Sequence, residues 1–351
     1  MIRIESLIRP HLKHLVPYSS ARDDYKGHEG IFLDANENSF GSVAGKMYNR
    51  YPDPYQQRIK KLLSEIKKVP AGSIFLGNGS DEIIDLVIRL FCIPGKVKII
   101  ITPPTYGMYE VSAEINETEI IRVPLNDRYQ LNTKEILKTS GKKPKVLFLC
   151  TPNNPTGNSL KKNDVIKLIN EFRGVILIDE AYADFSSHSF INRIGKHPNL
   201  IVMQTFSKAW GMAGLRLGVA YANENIVRYL NRIKPPYNIN EATQQLAEKA
   251  LRNVSGKERF VERIIKERKQ LETGLKKLGI VEKISPSDAN FLLVKFRNSD
   301  KVFQYLIQNK IIVRDRSNVE MCGSSLRITV GTPKENKALI GCLREYQTLH
   351  P

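Results

Sequence analysis

The chain of 351 residues is short of acid, of cysteine and of long apolar runs. No apolar run approaches the roughly 20 residues of a membrane-spanning helix, which argues against a membrane protein. The opening, Met1-Ile-Arg-Ile-Glu-Ser6, lacks the unbroken apolar stretch of a secretory signal. The four cysteines, Cys92, Cys150, Cys322 and Cys342, are scattered and have no metal-ligand spacing. They read as reduced and mostly buried thiols of a cytoplasmic protein. His11 and His14 stand three apart with no third ligand near them, so no metal is expected. The 36 acidic residues face 54 lysines and arginines, a formal net charge of +18. An excess of that size raises nucleic acid as a partner. The lysine pairs are dispersed, however, as at Lys60-Lys61, Lys142-Lys143 and Lys276-Lys277, and no aromatic-laced basic block exists. Solvated helix faces and loops account for them, and a general positive field also attracts small phosphorylated anions.

What is there instead is a globular composition, 41% hydrophobic and 26% charged, in a chain long enough for two domains. Three apolar runs each end in a turn that carries chemistry. Val146-Leu-Phe-Leu149 leads into Cys-Thr-Pro-Asn-Asn-Pro-Thr-Gly157, a turn stiffened by Pro152 and Pro155. Val175-Ile-Leu-Ile178 ends on Asp179. Leu200-Ile-Val-Met203 leads into Thr205-Phe-Ser-Lys208, followed by Gly211, Gly214 and Gly218. In open α/β sheets, ligands bind at the carboxyl ends of the strands. Alone, Lys208 reads as a loop lysine pointing to water. With the other two runs, one sheet edge receives an amide, a carboxylate and a lysine. Pyridoxal phosphate needs that set. The lysine bonds the aldehyde, the carboxylate keeps the ring nitrogen protonated, and an amide and a phenol bond the ring hydroxyl. Burial behind a strand would also lower the lysine's pKa and make its amine a nucleophile.

On Lys208, Asp179, Pro-Asn-Asn-Pro-Thr-Gly157 and the downstream Arg216, the chain resembles the fold-type I pyridoxal-phosphate aminotransferases. Among these it is similar to the histidinol-phosphate aminotransferases, over nearly its whole length. The resemblance implies an α/β fold. A large domain has a mostly parallel, seven-stranded sheet flanked by helices, and a smaller α+β domain accompanies it. The expected division is an arm over 1–40, packing on the small domain and the substrate entrance, a large cofactor domain over 41–235 and a small domain over 236–351.

The remaining site residues follow in chain order. Tyr18 matches the family's substrate-contacting tyrosine, and Asn36 lies in the family's Asn-Glu-Asn turn. Tyr51 would bond the cofactor phosphate of a neighbouring subunit, so the family implies a homodimer with shared active sites. Gly77-Asn-Gly-Ser-Asp81 enters a predicted helix with Ser80 as its N-cap. Free N–H groups of Gly79, Ser80 and Asp81 there form a phosphate cup with Arg216, whose fork suits bidentate binding. The Asp81 carboxylate should turn away from a phosphate. Tyr106 is placed where the family stacks an aromatic ring on the pyridine. Asn154 and Tyr182 serve the ring hydroxyl, while Thr205 and Ser207 also reach for the phosphate. Arg327 sits inside a predicted strand, where a charge needs a partner. The family uses that position for the donor carboxylate, and Arg314 joins it on the substrate phosphate. Arg316 is assigned no role.

The expected reaction is transamination between L-histidinol phosphate with 2-oxoglutarate and imidazole-acetol phosphate with L-glutamate, in histidine biosynthesis. Lys208, Asp179 and Tyr182 are the catalytic set. The alternatives are an aromatic or other amino-acid aminotransferase and a phosphothreonine decarboxylase of the same fold. A basic nucleic-acid-binding protein is the rival from another class.

Overall fold

Apolar runs of four to seven residues, fenced by turn residues, are too short for helices and form strands. The computed structural model describes residues 3–18, 30–45, 48–139 and 144–350, so Lys142-Lys143 lies outside it. The large sheet contains β1 (Ile74–Asn78), β2 (Lys98–Ile101), β3 (Glu119–Arg122), β4 (Pro144–Cys150), β5 (Val175–Asp179), β6 (Leu200–Thr205) and β7 (Leu217–Ala222). Their spatial order is β1-β7-β6-β5-β4-β2-β3. All neighbours are parallel except β7, which runs antiparallel to β1 and β6.

The helices are α1 (Ile4–Leu7), α2 (Gln57–Lys67), α3 (Gly79–Phe91), α4 (Met108–Ile115), α5 (Thr133–Lys138), α6 (Lys162–Glu171), α7 (Glu224–Ile233), α8 (Glu241–Leu251), α9 (Val254–Lys276), α10 (Ser299–Gln308) and α11 (Pro333–Leu349). A side-chain period of two splits each strand between two apolar layers. Ile176 and Ile178 of β5 join the layer closed by α2 and α6. Val175 and Leu177 join the layer closed by α3, α4 and α7. Both faces are buried, as a sheet sandwiched between helices requires. Parity then sends Asp179 to the side of Val175 and Leu177, where Tyr109 of α4 and Phe148 of β4 lie.

A second sheet, ordered β10-β11-β9-β8, is antiparallel throughout. It contains β8 (Val281–Ile284), β9 (Phe291–Phe296), β10 (Arg314–Asp315) and β11 (Ser325–Thr329). One face packs Leu292, Val294, Leu326 and Ile328 against α9, α10 and α11. Parity turns Arg327 to the other face.

Two expectations about organisation change. The first residues of the arm do not pack on the small unit. Ile4, Ile8 and Leu12 recur at every fourth position and insert into the large unit's layer with α3 and α7. The backbone N–H of Arg9 donates to Leu90 O at 3.0 Å, and Arg232 donates to Lys13 O at 3.3 Å. The large core also extends past residue 235, because Ile239, Ala247 and Leu251 belong to it. Helix α9 follows and carries Leu271 and Leu275 into the small core. Among the described residues, no helix is long and apolar enough to cross a membrane.

Candidate active site

Strands β1, β2, β4, β5 and β6 run in one direction, so their carboxyl ends share an edge. Strand β7 is antiparallel and begins at that same edge, immediately after Arg216. One edge therefore collects Gly79–Asp81, Tyr106, Asn154, Asp179, Lys208 and Arg216 from six different chain passages.

Asp179 is 4% exposed. Its Oδ2 accepts from the Tyr109 hydroxyl at 2.6 Å, and its Oδ1 accepts from the Ala181 N–H at 2.9 Å. Burial pushes the carboxyl's pKa up, and those two donors pull it back. Tyr109 is fully buried and stacks on Phe148 at 4.9 Å. Sequence reasoning missed this residue. Its one available signal was the spacing Tyr106-x-x-Tyr109, which puts both rings on one side of a helix start.

Lys208 is partly buried, its Nζ 5.5 Å from the centre of the Tyr182 ring. Burial, then the positive charge of Arg327, lowers its pKa, against the opposing pull of Asp179. This is the direction that makes an amine nucleophilic. Tyr182 is buried, with its ring edge-on to Phe291 at 5.1 Å, and burial raises its phenol's pKa.

Helix α3 begins at Gly79, so Asn78 and not Ser80 is its N-cap. The Asn78 N–H donates to Glu82 Oε2 at 2.6 Å. Ser80 thus lies within the first turn, among N–H groups that have no partner inside the helix. Gly79 has φ +77° and donates its N–H to Arg216 O at 2.8 Å. A Cβ there would stand 2.6 Å from Arg216 Nη2, and one on Gly218 would stand 2.5 Å from Ser80 N. Only glycines let the strand, the arginine and the helix start approach so closely. The Asp81 side chain does not turn away as expected. It accepts from Arg216 and from the Tyr106 hydroxyl, both at 3.0 Å. A guanidinium and a phenol face the turn, and this carboxylate is in reach of both. Thr205 also differs from expectation: its hydroxyl donates to Leu217 O at 3.3 Å and accepts from the Ser207 N–H at 3.1 Å. Its proton is committed to the backbone, so Thr205 braces the turn that presents Ser207 and Lys208.

The Pro-Asn-Asn-Pro turn divides its two amides. Asn153 donates to Pro104 O at 2.8 Å and to Thr156 Oγ1 at 2.7 Å, tying this turn to the one that carries Tyr106. Asn154 Oδ1 accepts from Arg327 Nη1 at 2.6 Å, which leaves the Nδ2 group as its donor. Gly157, at φ +87°, lets the small unit dock, since a Cβ would lie 2.7 Å from Ser287 Oγ. Beside Asn154 is a cavity of about 600 Å³ that Tyr106, Arg314 and Arg316 also line.

Three expected residues line other cavities instead. Tyr18, 75% exposed, lines a separate cavity of about 570 Å³ with Lys60 and Arg228. Asn36 and Tyr51 line a third, of about 490 Å³, where Tyr51 stacks on Tyr237 at 4.5 Å. All four cysteines are free and buried.

The sequence and the fold match known aminotransferases. The family model for aminotransferase class I and II matches residues 24–343. A histidinol-phosphate aminotransferase of Cytophaga hutchinsonii is 52% identical over 344 residues, covering 98% of this chain and 99% of the relative. The crystal structure of the histidinol-phosphate aminotransferase from Clostridium acetobutylicum superposes with a TM-score of 0.80 at 26% identity, covering 86% of this chain and 92% of that one. The enzyme of the same name from Sinorhizobium meliloti, solved in complex with pyridoxal 5'-phosphate, shares the fold with a TM-score of 0.81 at 18% identity and 98% coverage of both chains. With its strand edge, its lysine and its buried aspartate in this arrangement, the chain belongs to the class I and II aminotransferases.

Proposed function

We propose that this aminotransferase binds pyridoxal 5'-phosphate and exchanges the amino group between L-histidinol phosphate with 2-oxoglutarate and imidazole-acetol phosphate with L-glutamate. It acts in the cytoplasm, in histidine biosynthesis, as a homodimer. The observation that carries the reading is the convergence of Lys208, buried Asp179 and Arg216 on one edge, beside a cavity with two arginines on its wall. The donor set fits the cofactor. Gly79 and Gly218 let β7, Arg216 and the start of α3 approach closely, which brings the Arg216 guanidinium beside the Ser80 and Asp81 amides, a donor set that suits its phosphate.

When bound, the cofactor supplies an aldehyde to hold the substrate amine and a protonated ring that draws electrons from the α-carbon. Asp179 would hold the ring nitrogen's proton in place, its carboxylate oriented by Tyr109 and Ala181. The Asn154 amide and the Tyr182 phenol would bond the ring hydroxyl, and Tyr106 would supply an aromatic ring for the pyridine to stack on. The Ser80 and Asp81 amides, the Ser207 hydroxyl and the Arg216 guanidinium would hold the phosphate, with the Asp81 carboxylate giving up Arg216, whereas the Gly79 N–H, expected in this cup, is committed to Arg216 O. Lys208, whose amine is pressed toward its neutral form, takes the proton from the substrate's α-carbon and returns it on the product side. Arg327 grips a carboxylate or phosphate of either substrate, and Arg314 grips the distal phosphate. The seven-stranded unit carries the cofactor, the four-stranded unit carries the substrate's anion, and α9 joins them. Tyr51, Tyr18 and Asn36 line cavities that Lys208 of their own chain does not line, and we assign them to the site shared across the dimer.

The test is a single half-reaction, followed by cofactor absorbance, with histidinol phosphate, glutamate, phenylalanine and O-phosphothreonine offered in turn. Rapid conversion with the first two is expected. A preference for phenylalanine, or carbon dioxide release from O-phosphothreonine, would replace this reading with one of its alternatives.

A further inference from the structure

Three arginines occupy one face of the small sheet, and only two of them have been given a role. Arg314 of β10 stands directly opposite Arg327 of β11 in the antiparallel register, so both side chains leave the same face. Arg316 follows two residues after Arg314, with its N–H held by Ser325 O at 3.0 Å, and the period of two returns it to that face. Asp315 between them pairs in register with Leu326, whose side chain enters the opposite, apolar face. Like charges placed opposite each other destabilise a sheet. Three guanidiniums gathered in this way call for an anion.

Among the described residues, nothing supplies enough negative charge. The Arg327 guanidinium bonds a neutral amide, Asn154 Oδ1. Arg316 has a buried Nε with no hydrogen-bond partner among the described residues, and it forms no salt bridge there. Asp315 Oδ1 accepts from the Ser317 N–H. Of the two glutamates lining the same cavity, Glu110 is paired with Arg122 at 3.0 Å, and Glu320 is exposed. Burial first, then Arg327 and Arg314, press the pKa of Arg316 below its ordinary value.

We propose that Arg316 is a specificity-determining residue: with Arg314 it clamps the distal phosphate of the substrate and so separates a phosphate monoester from a carboxylate. The inference rests on the transaminase reading above and deepens it. A phosphate monoester dianion offers three terminal oxygens and two charges, enough for two guanidinium forks. A carboxylate offers two oxygens and one charge, and one fork satisfies it. Arg316 therefore adds binding for histidinol phosphate that it does not add for glutamate.

The experiment uses the cofactor-loaded Arg316→Gln enzyme, with Arg316→Lys beside it. Losing one charge-assisted contact should raise KM for histidinol phosphate about 10- to 100-fold, while KM for glutamate moves less than about threefold. Arg316→Lys should recover part of the loss. Thermal melting in buffers with and without inorganic phosphate gives a readout independent of turnover. Phosphate should stabilise the wild type, and Arg316→Gln should lose most of that increment. In phosphate-free buffer the variant should melt no lower than wild type, because one of three mutually repelling charges has gone. Equal losses for both substrates, or a phosphate increment unchanged in Arg316→Gln, would overturn the clamp. If wild type ignores histidinol phosphate yet keeps an Arg316-dependent phosphate increment, the clamp stands and the assigned substrate falls.

Discussion

Replacing Tyr109 by phenylalanine removes one oxygen from the interior and tests how Asp179 is held. The hydroxyl donates to Asp179 Oδ2 at 2.6 Å, and both groups are buried. Hydrogen bonds to charged groups contribute about 1.5–3 kcal/mol. In Tyr109→Phe, Asp179 keeps the Ala181 N–H on Oδ1 but loses its largest stabilisation of the ionised form. The folded-state pKa of Asp179 already lies above its ordinary value, so its contribution to stability is fully present below the unfolded pKa and is lost as pH rises through the folded one. Without the phenol, the folded pKa moves higher still. A protonated Asp179 cannot pair with a protonated ring nitrogen, so cofactor affinity should fall about 10- to 100-fold, most at the acid end. The acid limb of the activity profile should shift toward higher pH. The assay is cofactor titration by absorbance across a pH series, with a melting curve of the cofactor-free protein to confirm the fold. Wild-type affinity and an unmoved acid limb in a folded Tyr109→Phe protein would refute the reasoning.

Borohydride reduction of the cofactor-loaded protein, followed by peptide mapping, should mark Lys208 and no other lysine, and Lys208→Ala should lose turnover by several orders of magnitude. Asp179→Asn should cut turnover far more than Asp179→Glu, yet melt no lower without cofactor, since the amide oxygen can accept from the Ala181 N–H, its NH2 can donate to the Tyr109 hydroxyl oxygen, and it carries no buried charge; near-normal turnover would end the proposed role. Tyr51→Ala and Lys208→Ala, each inactive, should regain activity when mixed under conditions of proven subunit exchange, because one site of each hybrid is intact. Arg314→Ala should raise KM for histidinol phosphate well beyond that for glutamate, whereas Arg327→Ala should raise both; steady-state kinetics with the two substrates decides.

Much of the site was legible because strand-to-turn chemistry is local. Four apolar residues before Asp179, four before the Thr205–Lys208 turn and a proline-braced Asn-Asn pair fix a strand, its carboxyl end and the group delivered there. The period of two even fixes which face of β5 Asp179 takes. The sequence alone thus determined the parallel α/β architecture, the lysine, the aspartate and the amide. Tertiary structure decided the pairings. Tyr109 and Asp179 are 70 positions apart and meet at 2.6 Å, and only the stacking of α4 on the sheet brings them together. Asp81 faces Arg216 because two distant passages close on one turn. The placement of Ile4, Ile8 and Leu12 on the large unit depended on which helices left an apolar groove open. Arg316 could not be read from its neighbours in the chain, because its meaning lies in the register of β10 against β11. Local sequence sets what each turn offers; long-range packing sets which offers meet.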